Sequence, residues 1–193
     1  MRAFIKITSG FVILFCLFQV SCNKDEKKDE EESSMLQNDY TGYLTVRYSN
    51  VYPPWDVSTN IDVNISKEME TILFESGTLS YSGDTIIGND DSRIVRSGSW
   101  QIQPVGFLEK AGDDVQIEVD GGVSVVNDVQ KIYAKNPSTG QWQLVFETDI
   151  SAEPNADLVF SLQEAETTGS TIAVNEELGS IVWTLNLLPA IPR

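Results

Sequence analysis

Five stretches of this chain place an apolar side chain at every second position. Leu44, Val46 and Tyr48 alternate with Thr45 and Arg47, Ile61, Val63 and Ile65 with Asp62 and Asn64, and Val115, Ile117 and Val119 with Gln116 and Glu118. Trp142, Leu144 and Phe146 are spaced the same way, as are Ile181, Trp183, Leu185 and Leu187. A helix repeats its faces every ~3.6 residues, whereas successive side chains of a strand point to opposite sides of a sheet. The pattern therefore predicts half-buried strands, with one face in a core and one in water. Trp142 and Trp183 fall on the core phase, as does Trp100, which is in step with Ile94 and Ile102.

Turn-forming clusters punctuate these runs: Ser82-Gly83-Asp84, Gly88-Asn89-Asp90-Asp91, Gly112-Asp113, Asp120-Gly121-Gly122, Asn136 to Gly140 and Thr168-Gly169-Ser170. Glycine and Asp tolerate the positive φ of tight turns, so Asp120 to Val123 reads as a hairpin. Asn136 to Gly140 should join a strand around Ile132 to one around Trp142. Only Ser66 to Phe74 offers a helical case, through Met69, Ile72 and Leu73, and a strand over Thr71 to Phe74 fits equally well. Short turns between uneven antiparallel strands predict an all-β fold, an antiparallel β-sandwich, with a lipocalin-like β-barrel as the alternative.

The chain starts differently. Arg2 and Lys6 precede an unbroken apolar run from Phe11 to Phe18, and Val20-Ser21 leads into Cys22. A charged start, a short apolar core and a small residue before a cut describe a secretory signal, too short to span a bilayer. Val20-Ser21-Cys22 resembles the end of a bacterial lipobox, with Gln19 where an aliphatic residue is usual. Asn23-Lys24-Asp25-Glu26 resembles the Lys-plus-acidic export tag of surface lipoproteins in some Gram-negative bacteria. The resemblance implies lipidation of Cys22, attachment to the outer membrane by palmitate-like chains and exposure at the cell surface. Lys24 to Glu32 is an unbroken charged run that cannot be buried and reads as a spacer. The expected organisation is a signal peptide over 1–21, a lipidated cysteine and disordered acidic tether over 22–38, and one all-β domain over 39–193.

Chemistry is limited by what the chain lacks. It contains no histidine, and its two cysteines are Cys22 and Cys16, the latter inside the expected signal. Ser-His-Asp and Cys-His catalysis and the usual zinc sites are thereby removed. A net charge of −16 argues against nucleic acid as a partner. Paired carboxylates can hydrolyse glycosides without histidine, and Glu118 and Glu147, with Glu75 behind them, are the residues for that reading. No cofactor is expected; calcium is a further possibility, through Asn89-Asp90-Asp91, Asp113-Asp114 and Asn127-Asp128, but no D-x-D-x-D-G loop occurs and these are ordinary turn residues. The ligand-contact candidates are aromatic. Trp55 follows Tyr52-Pro53-Pro54 on a stiffened segment that could hold its ring outward or let it fold back as a cap, and Gly98 beside Trp100 leaves room for a ligand. The expectation is a non-catalytic, membrane-anchored binding or structural module whose partner is a glycan or an outer-membrane protein. A carboxylate glycosidase and a lipocalin-like carrier are the alternatives.

Overall fold

The computed structural model describes residues 34–150, 156–175 and 179–191. The expected signal, Cys22 and the charged run lie outside the described residues. The chain forms β1 (Tyr40–Val51), β2 (Pro54–Ser66), β3 (Thr71–Phe74), β4 (Gly77–Ile87) and β5 (Ser92–Ile102). It continues through β6 (Val105–Ala111), β7 (Asp114–Asp120), β8 (Val123–Lys135) and β9 (Trp142–Asp149). After β10 (Asp157–Ser161) come a short helix α1 (Leu162–Thr167), β11 (Ser170–Asn175) and β12 (Gly179–Pro189).

These strands make three antiparallel sheets, ordered β11-β12-β1-β2-β3, β10-β7-β6 and β4-β5-β8-β9. The architecture is an all-β sandwich in which one sheet curls strongly into half a barrel. Every sheet ends in two edge strands, so no pairing among the described residues closes a barrel.

Alternation explains the first sheet directly. Leu44 of β1 stands opposite Ile61 of β2 and Leu185 of β12, a row of three apolar side chains across three strands. All three are fully buried, together with Val46, Trp183 and Leu187. From the other sheets Ile117, Phe160, Leu79 and Ile102 close the same core. Each such aliphatic or aromatic side chain contributes about 1.5–3 kcal/mol on leaving water.

Several expectations are corrected. Lys67 to Glu70 is a turn with Glu70 at φ 49°, and Thr71–Phe74 is strand, so the helical reading of Ser66 to Phe74 gives way. Ser82-Gly83-Asp84 lies within β4 rather than in a turn. Asp120 to Val123 is not a hairpin. β7 pairs with β6 and β10, whereas β8 pairs with β5 and β9, so Gly121-Gly122 carries the chain from one sheet to another. Gly122 sits at φ 53°, where an added Cβ would lie 2.0 Å from the Gln103 carbonyl oxygen. A tight reversal and this crossover both require glycine, and sequence alone does not separate them.

The compact unit begins at Ser34, inside the span assigned to the tether. Leu36 is buried in the core, and the Met35 amide donates to Glu70 Oε1 at 2.6 Å. Strand β9 departs most from its expected place. Leu144 and Phe146 are half exposed and Trp142 is only partly buried, because among the described residues no second sheet covers that end of the four-stranded sheet.

Candidate functional site

The inner face of the four-stranded sheet can be followed along β5. Ile102, Trp100, Gly98, Arg96 and Ile94 share it by their spacing, and pairing sets Leu79, Tyr81, Gly83 and Thr85 of β4 beside the last four. Ile94 stands opposite Ile132 of β8, which stands opposite Phe146 of β9. Ile102 is wholly buried and Trp100 is 4% exposed, whereas Phe146 is 51% exposed. One continuous face thus runs from the core into water.

Four aromatic rings close the core where that passage begins. Tyr48 of β1 stacks on Trp100 with centroids 4.5 Å apart, and Trp55 of β2 stacks on Tyr81 at 4.8 Å. The two pairs meet edge to face, Tyr48 lying 5.3 Å from Trp55 and 5.2 Å from Tyr81. Two glycines make room. A Cβ at Gly98 would fall 2.2 Å from Tyr81 Oη, and one at Gly83 would fall 2.9 Å from Trp55 Cε3.

Above the rings lies an ion pair. Arg96 Nε donates to Asp128 Oδ1 at 3.0 Å and Nη2 to Oδ2 at 2.6 Å, the two-pronged geometry that suits a guanidinium. The guanidinium also lies 5.5 Å from the Trp55 ring centre and 5.9 Å from that of Tyr81. Hydrogen bonding to Asp128 pushes the Arg96 pKa up. Burial, and then the Asp128 carboxylate, push the Tyr81 phenol well above its usual range, so Tyr81 stays protonated. Among the described residues Trp55 Nε1, Trp100 Nε1 and Tyr81 Oη are buried without a hydrogen bond of good geometry, although the Tyr81 phenol lies close enough to Asp128 to feel its carboxylate. The arrangement is a packed aromatic box sealed by a cation, with the ring faces already taken.

This placement decides the aromatic candidates. Trp55 belongs to β2 and is 8% exposed, so its ring folds back as a cap and is not held outward. Trp100 is buried, and the space over Gly98 is filled by Tyr81. Tyr52 is half-buried between β1 and β2, joined to Pro53 by a cis peptide bond. Trp55 and Trp100 therefore come together, but as core.

The carboxylates do not assemble as expected. Glu118 is on β7 and Glu147 on β9, in different sheets, and Glu147 pairs with Lys131 at 3.3 Å. Glu118 instead neighbours Glu109 of β6, which raises its pKa through a shared hydrogen bond and like charge. Glu75 follows β3, where its amide donates to the Asp62 carbonyl at 2.9 Å. Among the calcium candidates, Asp90 and Asp91 lie in the β4–β5 turn, Asp128 is engaged by Arg96, and Asp114 accepts hydrogen bonds from Ser161 Oγ and the Gln163 amide. No three acidic, Cys or His side chains among the described residues are grouped to hold a metal ion.

No protein-family model, curated protein or solved structure matches this chain.

Sequence reasoning missed Tyr81 and Arg96, and it read Tyr48 as core and Asp128 as a calcium candidate without joining them to the aromatic box. Arg96 carried a usable signal, since it is a cation in phase with Ile94, Trp100 and Ile102. Nothing in the sequence pointed Asp128 toward Arg96, because the β5–β8 register shifts between Ser99 and Trp100 and breaks the alternation of β8. Beyond the box, Leu144, Val145 and Phe146 are 50%, 59% and 51% exposed on one strand, and Val105 and Phe107 of β6 are 53% and 66% exposed.

Proposed function

We propose that this chain is a lipid-anchored outer-membrane lipoprotein, exposed at the cell surface, whose β-sandwich binds a protein and does not catalyse. The anchor reading is supported by the signal-like start and by Val20-Ser21-Cys22 with its charged spacer. The binding reading rests on one observation. Three consecutive large apolar side chains, Leu144, Val145 and Phe146, distributed over both faces of an edge strand, stand half or more in water. Apolar surface of that kind marks interaction sites on soluble domains.

Protein is favoured over glycan because Trp55 and Trp100, the rings that would stack on a sugar, are occupied by Tyr81, Arg96 and Tyr48. A glycosidase is disfavoured by the separation of Glu118 and Glu147 onto two sheets, and a carrier by a core filled with side chains.

Two measurements test the proposal. Labelled palmitate should enter the wild-type chain in cells and not Cys22→Ala. A photo-crosslinking amino acid at Phe146 in the full chain on intact cells should form protein adducts that the same group at exposed Thr171 on β11 does not. Equal adduct yields at both positions would remove the binding reading, and label in Cys22→Ala would remove the anchor.

A further inference from the structure

Among the described residues, the most exposed large apolar side chains, each at least 64% exposed, are Val51, Met69, Leu73, Phe107, Leu188 and Ile191. Val51 stands at the far end of β1 and Phe107 on β6 of another sheet, while the other four gather at one end of the five-stranded sheet. Pairing places them there. Leu188 pairs with Thr41, Thr41 with Asn64 and Asn64 with Leu73, so one outward row across β12, β1, β2 and β3 has a leucine at each side. Met69 lies in the β2–β3 turn just beyond, where its amide donates to Ser66 Oγ at 3.3 Å. Ile191 follows Ala190, whose amide donates to the Asp39 carbonyl at 2.7 Å. The outward face then changes along the strands. The next row is Asn186, half-exposed Tyr43 and Asp62, and the one after it is Thr184, Thr45 and Asn60. Farther on, Arg47 is bridged to Asp56 beside the partly buried Val182. Apolar, then aromatic with a polar tip, then polar and charged is the order in which side chains are met between a bilayer and water.

The same end receives the chain from the anchor side. Ser34 Oγ donates to the Lys67 carbonyl at 3.3 Å and the Met35 amide to Glu70 Oε1, so the first described residues lie against the β2–β3 turn. The chain from Cys22 to Ser34 reaches at most ~40 Å when fully extended. Val51 lies roughly 35 Å from Tyr40 along β1. Setting the Val51 end on the membrane that holds Cys22 would consume nearly all of that reach, whereas the Ser34 end can be set down without extending the chain. We propose that the domain rests this end, through Met69, Leu73 and Leu188, in the lipid surface to which Cys22 is anchored. Lipid is selected over a protein partner by the position of these side chains at the anchored end and by their passage through Tyr43 into polar rows. Charge does not draw the domain down, because Asp39, Glu68, Glu70 and Glu166 stand around this end with Lys67 as their counter-charge. Two of these carboxylates are turned to the protein, Asp39 accepting from the Lys67 amide and Glu70 from Ser34 and Met35. The contact is therefore apolar and weak for a free domain, and the tether supplies the local concentration at which it forms.

This rests on the anchor reading and not on the β9 surface, and the experiment separates anchor from contact. With Cys16 in the cleaved segment and Cys22 lipidated, an introduced cysteine is the single free thiol of the mature chain. Met69→Cys, Leu188→Cys and Val51→Cys each receive a nitroxide on the full lipidated chain in phosphatidylcholine vesicles. Oxygen concentrates in lipid and a nickel chelate in water, so the ratio of their collision rates reports depth. That ratio should be several-fold higher at 69 and 188 than at 51, and adding Leu73→Glu should bring the value at 69 down toward that at 51. Unchanged tryptophan fluorescence would show that each variant folds. Equal ratios at all three positions, in a chain that takes up labelled palmitate and floats with the vesicles, overturn the contact and leave the anchor. A chain that takes up no palmitate and does not float overturns both. A high ratio at 69 that Leu73→Glu leaves unchanged overturns the assignment to these side chains. A label at 69 that is open to water in protein-free vesicles yet shielded from both reagents on cells makes a protein the occupant, and overturns it as well.

Discussion

Replacing Asp128 with alanine would remove one half of the ion pair that seals the aromatic box. The Asp128 side chain is 2% exposed and that of Arg96 is 20% exposed, so the guanidinium left behind is desolvated but keeps some access to water. Two opposite charges ~4 Å apart attract by about 4 kcal/mol at the effective dielectric of a protein surface. Breaking a buried pair by deleting one partner costs about 3–5 kcal/mol, since the remaining charge is uncompensated. The residual hydration of Arg96 and its contacts with Trp55 and Tyr81 place the expected loss near the lower end, about 3 kcal/mol. Against a total stability of roughly 5–15 kcal/mol this is readily measured. Urea titration followed by tryptophan fluorescence reports it as a fall in midpoint at constant slope, and Trp55 and Trp100 place two probes beside the change. The double variant Arg96→Met with Asp128→Leu should recover most of the loss, because an apolar pair needs no compensation. A loss under about 1 kcal/mol for Asp128→Ala, in the range of a surface pair, would refute the argument.

Gly98→Ala should destabilise by about 1–3 kcal/mol by driving its Cβ into the Tyr81 ring, measured in the same titration and reduced when combined with Tyr81→Leu. Leu36→Ala should cost about 2–5 kcal/mol if residues just after Ser34 belong to the core, and a loss near zero would return them to the tether. Glu118 has its folded-state pKa raised above the ordinary 4.5 by Glu109, so it holds its proton more tightly in the folded chain. It therefore supports folding below about pH 4 and opposes it once the pH passes the folded value. Glu118→Gln should raise the melting temperature at pH 7 and leave it unchanged near pH 3, and an unchanged value at pH 7 would count against the carboxyl pair.

Much of the fold was legible because alternation is a direct record of which face is buried. Leu44, Ile61, Ile117 and Leu185 are all found where the period of two places them. The pattern misled at Trp142, Leu144 and Phe146, because the register shift at Val145 sets Leu144 beside Tyr133 and Phe146 beside Ile132, on opposite faces, and among the described residues no second layer covers that end. Helix α1 went unread although Ser161-Leu162-Gln163-Glu164 has the spacing of a capping box. Ser161 Oγ does accept from the Glu164 amide at 3.1 Å, while the Glu164 carboxylate turns to Ser170. The candidate site was half legible. Trp55 and Trp100 were singled out, but whether a ring faces water depends on its partners from other strands. Tyr48 and Tyr81, distant in the chain, decide that.

The passage of one sheet face from core to water also divides single strands in time. Along β5 and β8 the backbone near Trp100, Ile102 and Val123 lies beneath buried side chains, whereas that near Ile94 and Ile132 lies under partly solvated ones. Amides at the first end should exchange with solvent only when the whole domain opens, and those at the second through local fraying that leaves the rest intact. A gradient of hydrogen exchange would then run along each strand.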